Sequence, residues 1–172
     1  MKHPLMPDYS FDNVYQITPC FLKENGIRAL LCDIDNTLAP YEESDPNDDL
    51  IKWIHSLQAA SIQIGLLSNN GTDRVDKFNR NLSLFAVADA KKPSTKGIQK
   101  FICSSGIERQ HIAVVGDQLF TDILMANRAG VGLALIVPPI RDKKTLFFRF
   151  KRRLEKPILR SFKKAGRNQK RM

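Results

Sequence analysis

The chain has 172 residues, 42% of them hydrophobic and 26% charged, with 27 Lys+Arg against 18 Asp+Glu. That is the composition of one globular domain large enough to hold a core without disulfide staples. It excludes a disordered chain, and no apolar run approaches the 18 or so residues of a spanning helix. The net charge of +9 is unevenly distributed: residues 141–172 hold 14 Lys+Arg and two acids, so the first 140 residues are net acidic.

In chain order, Met1–Ser10 contains Pro4, Pro7 and Asp8 and no apolar stretch of a secretory signal. Short apolar runs at Ala29–Cys32, Ile62–Leu67, Leu84–Ala88, His111–Val115 and Gly132–Val137 read as buried strands, each followed by a turn signal. Helical patterns lie between them at Asn47–Ala60, Thr72–Asn79, Ser94–Cys103 and Leu119–Arg128. Leu50, Ile51, Ile54 and Leu57 recur at 3–4 spacing in the first; Phe120, Ile123, Leu124 and Ala126 do so in the last, which runs out at Gly130. Strand–helix alternation predicts an α/β domain: a three-layer, Rossmann-like central parallel sheet covered on both faces. Of the three cysteines, Cys32 and Cys103 lie in apolar surroundings and are expected to be buried and unpaired, as in a reducing cytosol.

Ligands of such sheets bind beyond the carboxyl ends of the strands, and four of these ends carry chemistry. The first runs into Asp33-Ile34-Asp35-Asn36-Thr37, whose period of two puts Asp33 and Asp35 on one side of the exiting chain. Two acids so close repel unless a cation lies between them or they share work. A solvated acidic turn is the plain alternative. A calcium loop fails, because Leu38 and Ser44 stand where it needs Gly and Glu. The second end gives Ser68-Asn69-Asn70-Gly71, suited to phosphate oxygens. After the third comes Lys91-Lys92-Pro93-Ser94, with Ser94 placed to cap a helix. The fourth gives Gly116-Asp117-Gln118, then Thr121-Asp122. Singly, Ser68 reads as a cap, Lys92 as a surface lysine and Asp117 as an N-cap; together they read as one site.

This set, Asp33-Ile34-Asp35-Asn36-Thr37, Leu67-Ser68-Asn69, Lys92-Pro93 and Gly116-Asp117 with Asp122, resembles the four motifs of the haloacid-dehalogenase-like (HAD) phosphohydrolases. The whole chain, from Ile17-Thr18-Pro19 to its basic end, is similar to the YqeG group of the IIIA phosphatases, related to phosphatidylglycerophosphate phosphatases. The resemblance implies a phosphomonoester hydrolase with Asp33 as nucleophile and Asp35 as general acid and base. It implies Mg²⁺ on the Asp33 carboxylate, the Asp35 carbonyl and Asp117. Ser68, the Asn69 amide and Lys92 would cradle phosphate, Lys91 being the rival lysine, and Asp122 would orient the loop from behind. One helix and one strand use up each of the gaps Asp35–Ser68 and Ser68–Lys92, so no cap domain is expected and the site should be open.

The domain is expected to span residues 1–142. In 143–172, Phe147, Phe150, Leu154, Ile158 and Phe162 fall at helical spacing with basic residues mostly opposite, and Pro157 interrupts the pattern. A basic amphipathic helix of this kind suits an anionic membrane surface. Packing on the domain's own sheet, or binding RNA or the ribosome, are the alternatives. The expected activity is therefore dephosphorylation of phosphatidylglycerophosphate at the membrane surface, with a nucleic-acid or protein phosphatase, or an RNA-associated protein with a vestigial site, as the other readings.

Overall fold

The predicted apolar runs become strands of one sheet. The structure is a computed structural model and describes residues 3–141 and, beyond them, Pro157 alone. The helix and anchor expected over 143–172 lie outside the described residues. Strands β1 (Tyr9–Ser10), β2 (Ala29–Cys32), β3 (Gln63–Leu67), β4 (Phe85–Val87), β5 (Ile112–Gly116) and β6 (Leu133–Ile136) lie in the order β1-β6-β5-β2-β3-β4, and every pairing is parallel. Cys32 is in register with Leu66 of β3 and Val115 of β5, so the central strands end level with one another.

Helices α1 (Pro19–Glu24), α2 (Asp48–Ala59), α3 (Thr72–Asn79), α4 (Lys96–Ser105) and α5 (Leu124–Ala129) cover the sheet. Strand β2 is buried along its whole length. Leu30 and Cys32 enter a core with Phe21, Leu22, Leu50, Trp53, Ile54, Leu57, Val75 and Phe78. Ala29 and Leu31 enter a second core with Ile98, Phe101, Leu119, Ile123, Met125 and Ala126. Burial on both faces explains why the strand reads as an unbroken apolar run. Each fully buried leucine or isoleucine contributes roughly 1.5–3 kcal/mol relative to exposure.

Helix α2 starts where its sequence says it should: Asn47 Oδ1 accepts from the Leu50 amide at 2.8 Å, and Asp48 and Asp49 occupy the first turn, favoured by the helix dipole. The α4 pattern is displaced. It starts at Lys96 after Thr95 and ends at the left-handed Gly106 (φ 69°), while Ser94 Oγ accepts from the Lys96 amide at 3.4 Å from just outside the helix. That register puts Cys103 on the solvent side, so it is exposed, against expectation; Cys32 is buried and Cys20 exposed, all three as free thiols. Strand β1 and helix α1 escaped the sequence pattern. Strand β1 has only two residues, and α1 only six, too few to show periodicity, although Thr18 Oγ1 caps α1 at 3.2 Å with Pro19 in its first turn. No cap domain is inserted among the described residues: a loop and α2 join β2 to β3, and α3 joins β3 to β4.

Gly132 leads into β6 so close to the turn before β5 that a Cβ would lie 2.1 Å from the Gln110 carbonyl oxygen. That neighbour is backbone and cannot swing aside. Gly132→Ala is therefore expected to cost on the order of 1–3 kcal/mol, read as a lowered midpoint in urea unfolding.

Candidate active site

Because the central strands end level, the residues that follow them share one edge. Asp33 comes directly after β2, with its amide donating to the Val115 carbonyl at 3.0 Å. Lys92 Nζ donates to Asp33 Oδ1 at 2.5 Å and to Asp122 Oδ1 at 2.7 Å, and all three side chains are buried. Thr37 Oγ1 donates to Asp33 Oδ2 at 2.8 Å. The lysine is braced through its backbone. Its amide donates to Asn69 Oδ1 at 2.6 Å, and its carbonyl accepts from Asn69 Nδ2 at 3.2 Å, ahead of a cis Lys92–Pro93 bond. Lys91 is exposed and has φ 51°, so Lys92 is the lysine at the centre.

Asp122 reaches this lysine from a π-helical turn, Leu119–Ile123, that precedes α5 and replaces the start of the regular helix expected over Leu119–Arg128. Its Oδ2 accepts from the Gln118 amide at 3.2 Å and Thr121 Oγ1 at 3.3 Å. The widened turn folds the carboxylate back over β5, where a Cβ at Gly116 would lie 2.3 Å from Asp122 Cγ. Only glycine leaves that space. Asp117 is buried beside it, and the carboxylates of Asp33, Asp117 and Asp122 each place an oxygen within 4.8 Å of the others.

Three carboxylates around one ammonium carry a net charge of −2 when all are ionised. Burial pushes the Asp33 carboxyl up to about 6, and the Asp122 charge adds to the rise, while Lys92 and the Thr37 hydroxyl oppose it. Burial acts to lower the Lys92 pKa, but the Asp122 and Asp33 carboxylates outweigh it and hold the ammonium above its ordinary range. An all-oxygen donor set of three clustered, buried carboxylates fits a hard divalent cation.

Asp35 is placed differently. Its Oδ2 accepts from Asn70 Nδ2 at 2.6 Å and from Ser68 Oγ at 3.3 Å, and its Oδ1 from Arg74 Nε at 3.3 Å. Ser68 Oγ in turn accepts from the Asn70 amide at 3.0 Å. Asn36 takes the left-handed conformation (φ 63°) and turns the chain, its amide donating to the Ala39 carbonyl at 2.7 Å. Asp33 and Asp35 thus lie at one strand end with separate cations, Lys92 and Arg74. Asn70 belongs to the Ser68–Gly71 turn but carries no predicted role of its own, and Arg74 has no place in the sequence motifs. One signal pointed to Arg74: a cation in the first turn of α3 opposes the helix dipole and needs a partner elsewhere.

Beside the Asp33–Thr37 loop a groove of about 480 Å³ is lined by Val14, Thr37, Leu38, Pro40, Pro139 and Ile140, among others. Large exposed apolar side chains gather around it: Tyr15 and Ile140 line it, and Tyr41 follows Pro40. Arg141 pairs with Glu43 at 3.0 Å and Glu42 at 3.7 Å, both in the connection between β2 and α2.

Residues 2–141 match a family model described as mitochondrial PGP phosphatase. The chain belongs to the PGP phosphatase family. It is 31% identical over 166 residues to "Probable phosphatase YqeG" of Bacillus subtilis (strain 168), covering 96% of both chains. It is 28% identical over 175 residues to phosphatidylglycerophosphate phosphatase 1, chloroplastic/mitochondrial, of Arabidopsis thaliana, covering 94% of this chain but 49% of that protein. The fold is that of a HAD-superfamily (subfamily III A) hydrolase structure from Legionella pneumophila: TM-score 0.53, 21% identity, covering 85% of this chain and 90% of that one. Within this family the chain is a phosphatase, a hydrolase of phosphate monoesters. No helix among the described residues is long and apolar enough to cross a membrane.

A raised folded pKa means that the fold keeps a proton on Asp33 that the unfolded chain has lost. Without metal, the contribution of this group to stability therefore falls as pH rises from about 4 to about 6. Asp33→Asn removes that slope, and in EDTA at pH 8 the variant should be more stable than the parent by up to about 3 kcal/mol. Chemical denaturation at pH 5 and pH 8 checks this; a less stable variant at pH 8 contradicts it.

Proposed function

We propose that the chain hydrolyses the terminal phosphate of phosphatidylglycerophosphate at a membrane surface, through an aspartyl-phosphate on Asp33. The observation that carries the chemistry is the buried Asp33–Lys92–Asp122 contact with Asp117 beside it. In the first step an Asp33 carboxylate oxygen attacks phosphorus and the P–O bond to the glycerol breaks, with Asp35 giving its proton to the leaving alkoxide. In the second, water attacks the phosphorus, Asp35 takes the water's proton, and the P–O bond to Asp33 breaks to release inorganic phosphate. Lys92, the Ser68 hydroxyl and the Asn69 amide bind the non-bridging oxygens, where charge is spread in the transition state.

Asp122 holds the lysine and its own loop. Both of its oxygens are already engaged, so its role is that of a brace. The Asp33 and Asp117 carboxylates and the Asp35 carbonyl would hold Mg²⁺, which supplies the positive charge that lets an anionic nucleophile meet an anionic phosphate.

The lipid reading draws on three features. With no cap among the described residues, the site is open to a large substrate. Tyr15, Tyr41 and Ile140 expose apolar surface at the same edge. Arg141, tied to Glu42 and Glu43 there, is where the chain leaves for its basic segment. In this reading residues 1–142 perform the chemistry and 143–172 bind an anionic bilayer, putting the enzyme on the cytoplasmic face of the cell membrane.

Phosphate release from phosphatidylglycerophosphate vesicles, phenyl phosphate and a 5′-phosphorylated oligonucleotide, in Mg²⁺ and in EDTA, tests this. The vesicles should be the preferred substrate and EDTA should abolish turnover. Asp33→Asn should lower activity by about 10³-fold or more and Lys92→Ala by about 10²–10³-fold, while Lys91→Ala stays within a few-fold of the parent. Preference for the oligonucleotide would overturn the lipid assignment, and full activity in Asp33→Asn would overturn the mechanism.

A further inference from the structure

Arg74 is the one cation that touches Asp35 among the described residues, and its environment suits a group with another task. It stands in the first turn of α3, where the helix dipole disfavours positive charge. Its contacts are long for a guanidinium: Nε to Asp35 Oδ1 at 3.3 Å, and Nη1 to the Ser44 carbonyl at 3.3 Å. Nη2 lies 3.3 Å from Asp35 Oδ1 as an ion pair, yet it is buried and makes no hydrogen bond. The guanidinium carbon is 5.5 Å from the centre of the Phe78 ring, which supports the group without fixing its donors. By contrast, Asn70 holds Asp35 Oδ2 at 2.6 Å. The carboxylate therefore keeps a firm partner if the arginine turns away.

We propose that Arg74 determines specificity by binding a second anionic group on the leaving-group side of the substrate, and that in binding it withdraws from Asp35 Oδ1. This rests on the reading of phosphatidylglycerophosphate as substrate, and it names what the site recognises beyond the scissile phosphate. In that lipid a three-carbon glycerol separates the terminal phosphate from a phosphodiester. Asp35 faces the leaving oxygen in the proposed mechanism, so the cation beside it lies on the side from which the phosphodiester extends. Nη2 makes no hydrogen bond, and a planar guanidinium turned from Asp35 presents Nη2 with Nε as a pair of donors matching two phosphate oxygens. The exchange also has a consequence for Asp35. Both of its oxygens face donors in the structure, Arg74 on one and Asn70 with Ser68 on the other. Withdrawal of Arg74 frees Oδ1 to face the leaving group. A substrate without a second anion leaves the arginine in place.

Two soluble compounds separate recognition from membrane binding: glycerol 3-phosphate, and the same molecule with a methyl phosphodiester on its other primary carbon. The parent enzyme should prefer the second in kcat/KM by roughly 10-fold or more, the scale of a hydrogen bond to a charged group. Arg74→Ala and Arg74→Gln should bring the ratio close to one, and Arg74→Lys should keep part of it. Because both compounds use one site, the folded fraction cancels in the ratio, so partial misfolding cannot imitate the effect. An unchanged ratio in Arg74→Ala and Arg74→Gln, with both compounds hydrolysed, overturns the role of Arg74 alone. Hydrolysis of neither compound by the parent enzyme overturns the substrate reading and this inference together.

Discussion

An ammonium buried between two carboxylates is the contact on which the rest of the site depends. Lys92 is out of water, and a charge in that position is tolerated only where paired charges and hydrogen bonds replace its hydration. Asp33 and Asp122 provide the replacement. Several otherwise unrelated features serve that contact. The Asn69 side chain grips the lysine backbone on both sides. The π-helical turn brings Asp122 back toward the strand it has just left, and Gly116 leaves the room. Level strand ends, fixed by parallel pairing on both sides of β2, set the span that the lysine must bridge.

The same cluster sets stability against ionisation. Burial and the neighbouring Asp122 charge raise the pKa of Asp33 against the pull of Lys92. Stability and chemistry therefore oppose each other here. In the proposed mechanism Asp33 must be ionised to attack, and the fold without a cation resists that ionisation. The second carboxylate, Asp35, faces the other way, toward Ser68, Asn70 and Arg74. Asp33 and Asp35 can carry different chemical roles two residues apart because each is met by its own set of donors.

How much of this was legible in the sequence depended on distance along the chain. The strand ends carrying Asp33, Ser68, Lys92 and Asp117 were readable, because a buried parallel strand announces itself as an apolar run and the residues after it are fixed in place. The choice between Lys91 and Lys92 needed the backbone, which turns Lys91 outward. The π-helical turn left no trace, since the 3–4 pattern through Leu119–Arg128 fits a regular helix equally well. Arg74 shows a contact that pattern cannot give: its partners, Asp35 and the Ser44 carbonyl, come from a different loop. The exposure of Cys103 shows that apolar neighbours in sequence do not fix which way a helix turns.

The central claim is that Asp33 becomes covalently phosphorylated during turnover. Its most direct test is to quench the enzyme with acid during turnover, reduce it with borohydride and map the peptides by mass spectrometry. An acyl phosphate on Asp33 is reduced to the alcohol, so the account predicts homoserine at position 33 only when substrate was present, with Asp35, Asp117 and Asp122 unchanged. Reduction at another of these carboxylates, or at none while phosphate is released, would contradict it.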